Sequence, residues 1–359
     1  MNSQIKVSAP GRICLFGEHQ DYLNLPVIPS AISLRIFLEG SKRDDTKVVV
    51  NLSDVGEQDS FSLQPPIKYV KERDYFRSAV NVVLRENFTF SRGFNCTVTG
   101  NIPINAGTSS SSALIVAWIG FLTHMSDQST TLPAEKIAEL AHKAEVLEFN
   151  EPGGMMDHFS TALGSTIFLD FVPDIHYQSL NASLKTFVLG NSLEPKDTKG
   201  ILARVKNQVI KITQQLFTKY PNFSLRSTSV DSLKKYSGYI TAEQMELLQG
   251  TKKNYSITIE AKKILQQKPL DHKRVGNLLN AHQQILRDVL RISTPKIDRM
   301  IDAALEAGAC GAKINGSGGG GCMFAYTPEN PERIVEAIEK EGGKGYIINI
   351  DQGIRYEKF

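Results

Sequence analysis

Cysteine, tryptophan and net charge are what this 359-residue chain has least of. The four cysteines, Cys14, Cys96, Cys310 and Cys322, form no CxxC pair and no His/Cys spacing that suits zinc. That excludes a disulfide framework and a zinc module, and leaves reduced packing residues of a cytoplasmic protein. The one tryptophan, Trp118, sits in an apolar run and reads as core. A net charge of only +3 gives no electrostatic footprint for nucleic acid. Lys234-Lys235 and Lys262-Lys263 read as solvated helix faces. No apolar run approaches the roughly 18 residues of a membrane span, and no charged-then-apolar leader opens the chain. The expected partners are therefore small molecules, with no nucleic acid and no membrane. Internal repeats and low-complexity stretches are also missing.

A chain of this length exceeds one ordinary core, so two domains are expected, 1–175 and 176–359, with Val172-Pro173-Asp174 as the switch between them. Alternating or short apolar runs predict strands over 5–9, 94–99, 165–171, 322–326 and 346–350. Residues 113–125 are apolar nearly all round and fit a buried helix. A second helix follows Pro133, with Ile137, Leu140, Ala141, Ala144 and Leu147 on one face. Helical periodicity recurs over 201–217, 257–265, 275–290, 297–305 and 331–340. Helices packed on mostly antiparallel strands make an α+β fold.

Three segments carry chemistry. Ala9-Pro10-Gly11-Arg12 leads into Gly17-Glu18-His19-Gln20-Asp21-Tyr22, a short loop with polar groups of both signs. From Asn105 through Gly107, Thr108, Ser109, Ser110, Ser111 and Ser112, a Gly/Ser turn opens a helix. Such a turn aims backbone N–H groups and the helix dipole at one spot and lets phosphate approach closely. The lysine of a P-loop is absent. A plain serine-rich helix cap is the alternative. The third segment, Lys313 to Cys322, carries Gly316, Gly318, Gly319, Gly320 and Gly321 before an apolar strand, an order that excludes a dinucleotide-binding βαβ unit. Glu18, His19 and Asp21 suit vicinal hydroxyls, because a carboxylate accepts two hydrogen bonds at once. A salt-bridged surface loop is the plainer reading. Read from the residues alone, Asp157 is first a cap for the helix that begins near His158.

In this order the segments resemble those of the GHMP small-molecule kinases, named for galacto-, homoserine, mevalonate and phosphomevalonate kinases. The first segment, and Gly153-Gly154-Met155-Met156-Asp157-His158-Phe159, are most similar to the galactokinase branch. The third segment is worded more like the mevalonate kinase branch. The resemblance implies a two-lobed fold, an N-terminal ribosomal-protein-S5-like domain and a C-terminal ferredoxin-like α/β domain, with the site between. It places ATP on the loop of residues 107–112 and Mg²⁺ on Ser111 and Glu145, with Glu148 as competitor one turn on. Asp157 becomes the catalytic carboxylate with Arg12 beside it. Glu18, His19, Asp21 and Gly154 become sugar contacts, and the glycines 316 and 318–320 brace the site. The implied activity is phosphorylation of an aldose at its anomeric hydroxyl, galactose first. Alternatives are a uronic acid, a heptose, another aldose or mevalonate, and a non-catalytic sugar sensor. The chain departs from the galactokinase pattern at 23–26 and at 191–196, where a sugar-contacting Tyr is missing. It also departs around Arg73-Asp74-Tyr75-Phe76, where galactokinases carry an adenine-stacking Trp.

Overall fold

The computed structural model describes residues 4–104, 106–151, 153–195 and 198–358. Asn105 and Lys196, each part of a predicted loop, lie outside the described residues. In chain order the elements are β1 (Ile5–Phe16), β2 (Ile28–Lys42), β3 (Lys47–Leu52), β4 (Glu57–Ser62), α1 (Tyr75–Arg85), β5 (Phe94–Gly100), α2 (Ser110–Met125) and α3 (Ala134–His142). Then come α4 (Met156–Leu163), β6 (Ile167–Asp170), β7 (His176–Ser179), β8 (Phe187–Asn191), α5 (Thr198–Lys219), α6 (Ala242–Leu265), α7 (His272–Asp288) and α8 (Pro295–Glu306). β9 (Gly311–Asn315), β10 (Cys322–Tyr326), α9 (Pro331–Lys340), β11 (Lys344–Ile348) and β12 (Arg355–Lys358) complete the chain.

A six-stranded sheet in the order β12-β1-β2-β5-β3-β4 is antiparallel except at β3 and β5. A four-stranded antiparallel sheet, β11-β8-β10-β9, forms the second layer. The result is α+β, as the periodicities predict. The apolar helix α2 is buried against the first sheet, where Trp118 stacks on Phe121 at 5.6 Å and meets Phe76 and Phe94 edge-on. The Trp118 ring nitrogen donates to the Phe76 carbonyl at 3.1 Å, which satisfies its one polar atom in the core.

Three local differences from the sequence reading have physical causes. β1 does not stop at residue 9; a register shift against β2 between Pro10 and Arg12 bends the strand and carries it through the first motif to Phe16. α6 begins fifteen residues before its expected start, where Thr241 and Gln244 form a reciprocal capping box. The last strand, β12, pairs with β1, so residues 355–358 lie in the first sheet rather than with the second half of the chain. Pairing between the two chain ends has no local signal.

Candidate active site

β1 delivers Arg12, only 4% exposed, to the N-terminus of α4. Its Nε and Nη2 both lie 2.7 Å from Asp157 Oδ1, and Nη1 donates to the Gly107 carbonyl at 2.6 Å. One guanidinium thus joins the predicted catalytic carboxylate to the predicted phosphate loop. Burial alone would push the Asp157 carboxyl up. The charge and hydrogen bonds of Arg12 outweigh it and hold the group below the usual carboxylate range. Asp157 is therefore ionised at neutral pH, with about a third of its side chain (32%) open.

A second carboxylate sits beside it. Asp21 opens a 3-10 turn, Asp21–Leu23, and lies over Gly154 so closely that a Cβ there would come within 1.9 Å of Asp21 Oδ2. Glycine at 154 is required by this approach. Burial, and then the negative charge of Asp157, push Asp21 up to about 6, against the backbone amides of Tyr22 and Met156 and the charge of Arg12.

Glu18 and His19 are committed to bonds within the protein, closer to the salt-bridged reading of this loop, but buried rather than on the surface. Both border the cavity, yet Glu18 uses its two oxygens inside the protein. Oε2 accepts from Lys313 Nζ at 2.6 Å and Oε1 from the Gly316 amide at 2.7 Å. Lys313 is fully buried and also donates to the carbonyls of Cys14 and Ile314. The His19 ring bridges Tyr22 Oη at 2.7 Å and the Ser317 carbonyl at 3.0 Å. These two residues tie the first motif to the third, and Asp21 is the first-motif carboxylate left facing the cavity.

The serine loop lies between them. Gly107 and Ser109 both take left-handed backbone, with φ of 85° and 59°. α2 then starts at Ser110 with no side-chain cap, so the serines are not serving as caps. Ser109 to Ser112 line the cavity, and the Ser109 side chain does not cap the first-turn N–H groups. Thr108 lies beneath, fully buried, its carbonyl accepting from the Arg12 amide at 3.1 Å. Asn315 braces the loop from the third motif. Its Nδ2 donates to the Gly107 carbonyl at 2.8 Å, and its Oδ1 accepts from the Cys14 amide at 2.9 Å. Gly316 reaches the cavity wall, while a Cβ on Gly318 would stand only 2.5 Å from the Ile292 carbonyl oxygen and one on Gly320 only 2.7 Å from the Pro195 carbonyl oxygen, so neither position has room for a side chain. The Gly319 amide donates to Ile292.

The helix after α3 widens into a π turn, Lys143–Leu147, a form of local strain that recurs at functional sites. It brings Glu145 to the cavity that Ser111 also lines. Glu148 instead pairs with Arg85 and Tyr69 and is not part of the cavity wall. A serine hydroxyl and one carboxylate are hard oxygen donors that fit Mg²⁺ with its remaining shell filled by phosphates and water. Among the described residues no cluster of His, Cys, Asp and Glu could hold a metal by itself. The whole cavity measures about 700 Å³. Its wall also holds Tyr75 and the Arg73–Glu151 ion pair, at 2.8 Å; Arg73 and Tyr75 belong to the stretch singled out as departing from the adenine-stacking Trp of galactokinases, whereas nothing in the sequence marked Glu151. Lys313 and Asn315 were visible in the sequence just before the glycine run, but nothing local marked them as braces.

The chain matches the GHMP kinases N terminal domain over residues 74–165 and the GHMP kinases C terminal domain over 261–344. It matches the galactokinase galactose-binding signature over 2–42. It is 30% identical to a mevalonate kinase of Pyrococcus furiosus, over 99% of each chain. It is 29% identical to a galactokinase of Haemophilus influenzae, over 98% of this chain and 94% of that one. Among solved structures, Lactococcus lactis galactokinase complexed with galactose superposes with a TM-score of 0.86 at 22% identity, covering 98% of this chain and 95% of the other. Methanococcus jannaschii mevalonate kinase gives 0.75 at 20% identity, covering 97% and 98%. With full-length relatives on both sides and its serine loop, Asp157 and Gly316 lining one cavity, the chain belongs to the GHMP kinases.

Proposed function

We propose that this kinase transfers the γ-phosphoryl group of ATP to the anomeric hydroxyl of a neutral aldose, with galactose as the first candidate. The observation that carries the reading is the placement of Asp21 beside Asp157 on the backbone of Gly154. Two neighbouring carboxylates accept hydrogen bonds from sugar hydroxyls. They repel the carboxylate of mevalonate or of a uronic acid. The cavity is lined by Glu18, Asp21, Glu145, Glu151 and Asp157 against Arg12 and Arg73, and both arginines are already in ion pairs. An anionic acceptor would find no spare cation among these groups.

In the reaction the sugar oxygen bonds to the γ-phosphorus as the bond from phosphorus to the β,γ-bridging oxygen breaks, and ADP leaves. Asp157 orients the hydroxyl, accepts its hydrogen bond and receives its proton as the new bond to phosphorus forms. With Arg12 holding its carboxyl low, it is a weak base, which suits a loose transition state in which the proton departs late. Arg12 balances charge that grows on the transferred group, and the uncapped start of α2 receives the phosphates. Mg²⁺ on Ser111 and Glu145 would neutralise phosphate charge. The 30% identity to mevalonate kinases favours a second reading, mevalonate as acceptor. An ADP-release assay over galactose, other aldoses, galacturonate and mevalonate separates them, with phosphorus NMR of the product. A sugar 1-phosphate is expected. Efficient phosphorylation of mevalonate, or a product phosphorylated at C6, overturns the proposal. No turnover on any acceptor would favour a sugar sensor.

A further inference from the structure

Next to Asp157 on α4 stands a histidine that the chemistry above does not use. His158 is 2% exposed, and its Nε2 lies 2.7 Å from Glu145 Oε2. A carboxylate only accepts, so the hydrogen belongs to Nε2. The other ring nitrogen, Nδ1, is buried with no hydrogen-bond partner among the described residues. The ring is packed edge-on against His142, with centroids 5.3 Å apart and planes at 81°, which fixes its orientation. Glu145 needs such a partner. It projects from a π turn, where the backbone is irregular, rather than from a regular helix that would fix its direction.

We propose that His158 is a positioning residue for the metal. It holds Glu145 by Oε2, leaves Oε1 for Mg²⁺, and locks that carboxylate to the same helix turn that carries Asp157. Glu145 and Asp157 are then held in register by two adjacent residues of α4, 157 and 158. This rests on the reading of Glu145 as the metal ligand, and the test separates the two. Partners of this kind are worth about 10–100-fold in metal affinity.

The experiment measures Mn²⁺ binding to the protein with ADP by electron paramagnetic resonance, alongside the Mg²⁺ dependence of turnover. His158→Leu should weaken Mn²⁺ binding about 10–100-fold and raise the Mg²⁺ needed for half-maximal rate. Metal-free ADP affinity should hold. His158→Gln keeps an N–H donor at the same reach and should recover most of the affinity, which a merely space-filling role would not predict. If Glu145→Gln weakens Mn²⁺ binding and folded His158→Leu does not, the role of His158 is refuted while that of Glu145 stands. If Glu145→Gln leaves Mn²⁺ binding unchanged, both fall. Should His158→Leu fail to fold, His158→Gln decides: affinity as poor as in Glu145→Gln refutes the inference, and near-native affinity supports it.

Discussion

Replacing Asp21 by Asn should make the protein more stable at pH 7.5 and worse at holding its sugar. In the folded chain Asp21 is pushed up to about 6 from 3.8, by burial and then by the charge of Asp157. Below pH of about 4 the group carries a proton in both states and costs nothing. Between about 4 and 6 the unfolded chain loses the proton first, so rising pH favours unfolding. Above about 6 the folded state bears the whole penalty. A shift of roughly two units at 1.36 kcal/mol each sets a ceiling of about 3 kcal/mol, and cavity water lowers this to about 1–2. Asp21→Asn removes the charge and keeps the shape. Urea unfolding of both proteins at pH 4.5, 6 and 7.5 should show a stability difference that grows with pH. The same substitution should raise the sugar KM about 10–100-fold, because a hydrogen bond to a charged acceptor contributes about 1.5–3 kcal/mol, while the KM for ATP holds. A stability difference that is flat from pH 4.5 to 7.5, or a sugar KM that does not move, refutes the account of Asp21.

Asp157→Asn should lower kcat about 10²–10⁴-fold while calorimetry still detects nucleotide binding; near-native turnover would remove Asp157 from the chemistry. Gly154→Ala puts a Cβ 1.9 Å from Asp21 Oδ2, so the carboxylate must leave its place. Sugar KM should rise at least about tenfold with little change in the KM for ATP, and steady-state kinetics with each substrate varied checks the split. Lys313→Met strands the buried Glu18 carboxylate and should cost about 3–5 kcal/mol in urea unfolding. Adding Glu18→Gln to it should restore much of that loss, and a double variant no more stable than the single one would contradict the pairing.

The glycine and serine motifs were legible because each solves a local problem. Backbone that must run at φ of 72° to 115°, as at Gly318 to Gly320, leaves almost no residue but glycine. A helix that opens on four serines without capping itself shows in the sequence as more hydroxyls than a cap requires. The buried helix α2 and the amphipathic helix α9, which buries Ile334 and Ile338, follow the same rule, since their apolar pattern is set turn by turn. The strands β2, β3 and β4 were missed for different reasons: β2 is buried along most of its first half and β3 is a short apolar run, so neither shows a regular alternation, while β4 is polar and largely exposed.

By itself, then, the sequence determined the kind of enzyme, a GHMP-family kinase: a Gly/Ser loop without a P-loop lysine, a carboxylate shortly after two glycines, and a glycine run before a strand. Only tertiary structure decided what each charge does. Glu18 and Asp21 are three residues apart in one loop, and nothing local distinguishes them. Lys313, 295 residues away, takes Glu18 for a buried ion pair, while Gly154 makes room for Asp21 beside Asp157. Glu145 and Glu148 are separated in the same way, one by His158 and the other by Arg85 and Tyr69. A carboxylate's role depends on which cation or donor the fold brings to it, and that partner is set by long-range packing rather than by neighbours in the chain.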